Sequence, residues 1–485
     1  MHGAEGAPAL RAEAPAREHR RTGKPANPRE PHPQPKDRFQ IMPIPFQKSF
    51  AGASLGAKFW LKKATVPLSL VEDPPPEVAI RAGGDGLATV DLRIEHGKVA
   101  AVVPGGTAPC CGPGVTLENG LVWPCPVDLH THLDKGHIWA RQENPDGTFM
   151  GALGAVERDR EAHWSARDVA ARMEFGLKCS YAHGTAAVRT HLDSLGKQAE
   201  ISWPVFAEAR ERWAGRITLQ AVSLIMIETY LTDEAVRIAD LVQRHGGVLG
   251  CVSYMIQDLD AALDRLFALA AERGLDVDFH VDETGDPGAE SLHHIARAVL
   301  RTGFKGRVLC GHCCSLAAQE PERALATLDL AAEAGLCVVT LPMCNLYLQD
   351  RTPGRTPRWR GVTLLHEMRA RGIPVAVASD NCRDPFYGYG DHDMVEVYRE
   401  ATRILHLDRP FGDWPRTTAP VPAHVMRLPD AGLIGAGRTA DLIVFRARTY
   451  SELLSRPQSD RTVLRAGVPL EAKVPDYREL DELFA

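Results

Sequence analysis

The feature that most narrows the folds open to this chain is a repeated order of short apolar runs and stretches of helical period over about 300 residues. The runs AAVRTHLD, ITLQAVSLI, GVLGCVSYM, LDVDFHVDE, RVLCGHCCS, CVVTLPM and IPVAVASDN read as strands. Segments such as ESLHHIARAVLRTG and PERALATLDLAAEAG lie between strands as amphipathic helices ending near Gly. Strand-then-helix repetition implies a parallel barrel or an open doubly wound sheet. An open sheet gathers its polar residues at one switch point. Here nearly every polar cluster falls at the C-terminal end of a strand-like run, which is where barrel active sites are built. The expected fold is therefore α/β, a distorted TIM (β/α)8 barrel.

The two ends of the chain have a different character. Residues 1–45 are rich in Pro, Ala, Arg and Glu, with almost nothing to form a core, and read as a disordered extension. Residues 46–122 carry short β-type runs such as ATVDLRIEHGKVAAVV, and 428–485 carry ADLIVFRA and RTVLRAGVPL. The two ends are expected to build one small β-sandwich, with the barrel over 123–427 between them.

A chain of 485 residues, 44% hydrophobic, has room for such a core and a satellite domain. Its formal net charge of −6, with both signs interspersed, excludes the basic face that nucleic-acid backbones demand. Eleven scattered cysteines, an odd number, argue against a disulfide framework and for a reducing compartment. No apolar run approaches the length of a spanning helix, and Arg20-Arg21 has no apolar segment after it. A cytoplasmic protein with no membrane partner is expected.

In VDLHTHLD, His130 and His132 stand two residues apart after an apolar strand start. Residues i and i+2 of a strand face one side, so both imidazoles can reach one metal ion, and imidazole suits Zn2+ or Fe2+. In DFHVDE, His280 can add a third nitrogen while Glu283 reaches the same cavity unligated. His312 ends RVLCGH, one strand-helix unit later. Asp380 directly follows the apolar VAVAS, where a carboxylate is costly unless it meets a cation or good donors.

This ordered set resembles the amidohydrolase superfamily over roughly residues 55–475. Within it, the chain is similar to bacterial cytosine deaminases in HTHLD at 130–134, VRTHLD at 188–193, HVDE at 280–283, SDN at 379–381 and DPFY at 384–387. NLYLQDRTPGRTPRWRG at 345–361 is an especially close match. The resemblance implies one divalent ion, Zn2+ or Fe2+, held by His130, His132, His280 and Asp380. It implies Glu283 and His312 as a catalytic pair, with Asp380 and His312 taking the water's proton and Glu283 shuttling a proton to the ring. VRTHLD and LQAVSLIMIETY offer no lysine for a second metal.

Three positions depart from that pattern and mark the substrate pocket. Met226 stands where the family has an amide that reads the pyrimidine edge, Asn381 replaces a second aspartate, and Phe386 replaces a tryptophan. A nucleobase-like small molecule, cytosine or a 5-substituted cytosine such as 5-methylcytosine, is the expected substrate, with ammonia released. Hydrolysis of N-alkylated aminotriazines or related aminated lactams is the alternative. A noncatalytic binding protein on the same barrel is a third reading, although such proteins usually lose ligands and all four remain here. Self-association into a homo-oligomer stays open.

Overall fold

The computed structural model describes Phe50 and residues 57–484; the extension expected over 1–45, Arg20 and Arg21 included, lies outside the described residues. Sixteen strands among these residues fall into four sheets.

The first sheet has the order β3-β2-β1-β4. It is built from β1 (Lys58–Pro67), β2 (Leu87–Glu95), β3 (Lys98–Pro104) and β4 (Gly114–Thr116). The second has the order β16-β15-β14-β5 and joins the two chain ends. Its β5 (Val122–Pro124) pairs antiparallel with β14 (Leu442–Val444), which continues to β15 (Thr462–Arg465) and β16 (Val468–Pro469). The sandwich expected from the sequence is thus two separate four-stranded sheets, linked through single bridges such as Lys98↔Thr439 and Thr65↔Leu121.

The middle of the chain supplies only parallel strands. β6 (Val127–Thr131), β7 (Ala187–Asp193) and β8 (Thr218–Leu224) form a three-stranded sheet. β9 (Leu249–Ser253), β10 (Val277–Val281), β11 (Val308–His312), β12 (Cys337–Thr340) and β13 (Val375–Val377) form a five-stranded one. Every residue of β6, β7, β10, β11, β12 and β13 is buried, as parallel strands covered on both faces require. Helices such as Leu259–Arg273 and Ser291–Thr302 lie between successive strands. Each ends on a glycine in the left-handed region, Gly274 and Gly303 (φ 64° at both), where a side chain would be strained.

The closed barrel expected from the sequence appears as these two parallel sheets, whose ladders stop at two seams. Val222↔Val248 and Met226↔Val252 bridge β8 towards β9, and Thr131↔Asp380 bridges β6 to the residues leaving β13. The second seam is short because β13 has three residues and Asp380 turns into the left-handed region at φ 61°. The β6–β7 register also slips between Asp128 and Thr131. Irregularities of this kind gather next to active sites, where they re-aim side chains. Among the described residues no helix is long and apolar enough to cross a membrane. All eleven cysteines are free thiols, Cys310 and Cys313 among the buried ones.

Candidate metal centre and active site

His130, His132, His280 and Asp380 converge at the C-terminal ends of β6, β10 and β13. The His280 Nε2 lies 3.2 Å from His130 Nε2 and 3.3 Å from His132 Nε2. Asp380 Oδ1 lies 3.5 Å from His130 Nε2 and 3.2 Å from His132 Nε2. An ion about 2.0–2.2 Å from four tetrahedral donors would hold them about 3.3–3.6 Å apart, so the spacing fits a single ion. Both oxygens of Asp380 are buried without a hydrogen-bond partner. A buried carboxylate left so is costly unless a cation meets it.

The backbone aligns these donors through the seam. Asp380 N–H donates to the His130 carbonyl (2.8 Å), and Thr131 Oγ1 donates to the Asp380 carbonyl (2.8 Å). His132 lies just past the end of β6, so its approach to His130 owes more to the slipped register than to the i, i+2 alternation of a regular strand. Behind them Asp128, raised to about 6 by burial, accepts from Ser379 Oγ at 2.5 Å and Ser379 N at 3.1 Å.

Glu283 and His312 meet across Asn345, which stands on the helix Pro342–Leu348. The Asn345 amide nitrogen lies 3.1 Å from Glu283 Oε1 and 3.0 Å from His312 Nδ1, and donates one hydrogen to each. Burial, followed by the charge of Asp380, raises the Glu283 carboxyl well above the usual carboxylate range. Oε1 accepts from Asn345, which leaves Oε2 as the oxygen that can carry a proton. Burial pushes the His312 imidazole down to about 3, so it is neutral. With Nδ1 accepting, its hydrogen sits on Nε2, which is buried and without a partner.

The three expected pocket residues are placed unequally. Phe386 packs edge-on against Phe149, with the Lys135 ammonium 5.4 Å from its ring centre. Asn381 is committed within the protein: its Nδ2 donates to Asp384 Oδ2 (2.8 Å) and its Oδ1 accepts from the Cys344 thiol (3.7 Å). Met226 is half-buried on the turn after β8, bridged to Val252.

Lys135, Asn345, Cys344 and Arg172 also belong to the site's surroundings and were not singled out from the sequence. Lys135 is 5% exposed and pairs with Asp193 Oδ1 at 3.0 Å. Burial works against its charge, but Asp193 and Asp134 outweigh it and raise the ammonium's pKa. Its signal was its place directly after HTHLD. Arg172, fully buried, donates to the carbonyls of Asp134 and Gly136 and so fixes the loop that carries Lys135. Asp168 binds Arg172 (2.6 Å) and Arg141 (2.6 Å) together. Asp168→Ala leaves a buried guanidinium without its carboxylate and is expected to cost about 3–5 kcal/mol in urea unfolding.

Residues 206–470 match the amidohydrolase family. The chain belongs to that family. This amidohydrolase is 54% identical over 440 residues to a pterin deaminase of Rhizobium rhizogenes, covering 90% of this chain and 99% of that one. It is 27% identical to an N-isopropylammelide isopropyl amidohydrolase of a Pseudomonas species, over 69% of this chain and 81% of the relative. Among solved structures it superposes on the 5-methylcytosine deaminase of Klebsiella pneumoniae bound to 5-fluorocytosine. The TM-score is 0.71 at 22% identity, over 86% of this chain and 98% of the other. That likeness gives the fold, a TIM-like α/β barrel.

Proposed function

We propose that this amidohydrolase is a hydrolytic deaminase of pterins. The observation that carries the substrate class is the 54% identity to the Rhizobium pterin deaminase across 99% of that protein. The chemistry is supported by the four converging donors and by Glu283 beside them, whose carboxyl is raised by burial well above the usual carboxylate range. Cytosine, the substrate expected from the sequence, has support only from structural neighbours at 22% identity. Both rings present an aminated carbon next to a ring nitrogen, so one set of acid-base groups serves either.

His130, His132, His280 and Asp380 would hold the ion, which when bound supplies Lewis acidity and brings the pKa of a water from 15.7 to about 7. Asp380 takes that water's proton through an oxygen not engaged with protein donors. Glu283 Oε2–H protonates the ring nitrogen beside the reacting carbon, so that the tetrahedral centre carries no full negative charge. His312 Nε2–H serves as a neutral donor to the incoming oxygen. This revises the role of base expected for it, because Asn345 occupies its acceptor nitrogen. Asp380 then returns its proton to the departing amine. Glu283, left as a carboxylate, takes back the proton of the hydroxyl on that carbon as ammonia departs, so the products are ammonia and the ring carbonyl and both acids end as they began.

Lys135 is the group placed to meet a carbonyl of the ring, since its buried ammonium borders both Phe386 and the quartet. A hydrogen bond to a charged group is worth about 1.5–3 kcal/mol. Lys135→Met is expected to lower kcat/KM by roughly 10–150-fold with the ion content unchanged, as read by steady-state kinetics and metal analysis.

The deciding assay measures ammonia from pterin, cytosine and 5-methylcytosine, and isopropylamine from N-isopropylammelide. Pterin is expected to exceed either pyrimidine by at least about 10²-fold in kcat/KM. A pyrimidine turned over faster than pterin would overturn the substrate assignment. Release of isopropylamine in place of ammonia would transfer it to the triazine branch.

A further inference from the structure

Away from the quartet, a second group of metal-ligating side chains is fully enclosed. His137, Cys382 and His392 are 3%, 1% and 2% exposed, and one donor atom from each lies within 4.8 Å of the others. The two imidazoles turn their Nε2 atoms towards each other at 3.3 Å, and both Nδ1 atoms are buried without a partner. The quartet shows the same signature, with Nε2 atoms 3.2–3.3 Å apart and the Nδ1 atoms of His130, His132 and His280 unpaired. Both histidines are held in the left-handed backbone region, His137 at φ 64° and His392 at φ 53°. Strain of that kind persists only where the surroundings over-determine it.

The helix Ala166–His183 covers this group with Gly176, whose added Cβ would lie 3.0 Å from His392 Nε2. Glycine inside a helix costs about 1 kcal/mol relative to alanine, and here its missing side chain leaves the space beside the nitrogen open.

We propose that His137, Cys382 and His392 bind a second divalent ion of the borderline-soft kind, zinc foremost, in a structural role. Two imidazoles and a thiolate are a donor set that selects such ions over magnesium or calcium. An ion about 2.0–2.1 Å from each nitrogen sets them about 3.3 Å apart, as found. The location supplies the reason. His137 lies on the loop that leaves β6, and Cys382 and His392 on the segment that leaves β13. These are the two strands whose seam is joined by the bridge Thr131↔Asp380. His137 N–H already donates to the Cys382 carbonyl (3.0 Å), and Trp139 N–H to the Arg383 carbonyl (2.9 Å). The ion clamps both loops just behind His132 and Asp380, independently of what substrate the enzyme takes.

Cobalt reads this site separately, because only a thiolate ligand gives an intense near-ultraviolet sulfur-to-cobalt absorption. The full-length protein, stripped of metal, loaded with Co2+ and freed of excess, is expected to hold two ions per chain and to show that band. Cys382→Ser and His392→Ala are each expected to hold one ion and lose the band. Cys344→Ser is the control, since Cys344 lies beside Asp380 and Glu283, and should keep both. Uptake of one cobalt by the wild-type chain would overturn the proposal even if neither variant folded. A band that survives Cys382→Ser or disappears in Cys344→Ser would do the same.

Discussion

Glu283→Gln is expected to keep the ion content of the protein and to lower kcat/KM for pterin by about 10²–10⁴-fold, the usual worth of a positioned general acid. The substitution preserves size and the bond from Asn345 to an Oε1-like acceptor, while replacing the Oε2–H by an amide that cannot give up its proton at neutral pH. Because Glu283 lies outside the four donors, metal analysis should not distinguish the variant from wild type. The loss should fall mainly on kcat, since the proton moves in the transition state. Turnover within about threefold of wild type would remove Glu283 from the proton path.

His280→Ala attacks the other half of the machinery. It deletes the nitrogen that lies 3.2–3.3 Å from both partner imidazoles, so the ion content should fall by one per chain. Without the ion, water keeps a pKa near 15.7, and turnover of pterin should fall by at least about 10³-fold. The two readouts must move together. An enzyme that lost the ion yet kept its rate would show that the quartet is not where the chemistry occurs.

Much of this candidate site was legible in the chain because the residues proposed as donors stand at the ends of apolar strands. His130, His280 and His312 lie inside β6, β10 and β11, within apolar runs whose strand character the sequence itself shows. Asp380 was legible for a complementary reason, a charge placed where burial could not be avoided. The residues that tune the site were harder to see. Asn345 orients Glu283 and His312 from a short helix remote in sequence; it opens the NLYLQDRTPGRTPRWRG stretch, but nothing in that match shows that its amide bridges the two. Lys135 stands directly after HTHLD, but only its pairing with Asp193, fifty-eight residues on, shows that its ammonium is buried.

At fold level, alternating strands and helices announced a parallel α/β architecture, but periodicity says nothing about where a ladder stops. The seam between β6 and β13 depends on the left-handed turn at Asp380 and on the slipped register of β6, neither of which has a sequence period. Substrate was the least legible property. Met226, Asn381 and Phe386 signalled departure from cytosine deaminases without naming a replacement. Asn381, moreover, is tied to Asp384 and Cys344, so its identity reports on the loop's own architecture.

The bond from the Asp380 amide to the His130 carbonyl makes two of the proposed metal donors neighbours across that seam. Whatever draws the donors together therefore also draws the first and last parallel strands together, and an ion that binds only the folded chain stabilises it in proportion to its free concentration. In a cell short of the ion, such a protein would lose more than its turnover rate. Its apo molecules would open more often and be recognised sooner by quality control, so that metal supply sets how long each copy persists as well as how fast it works.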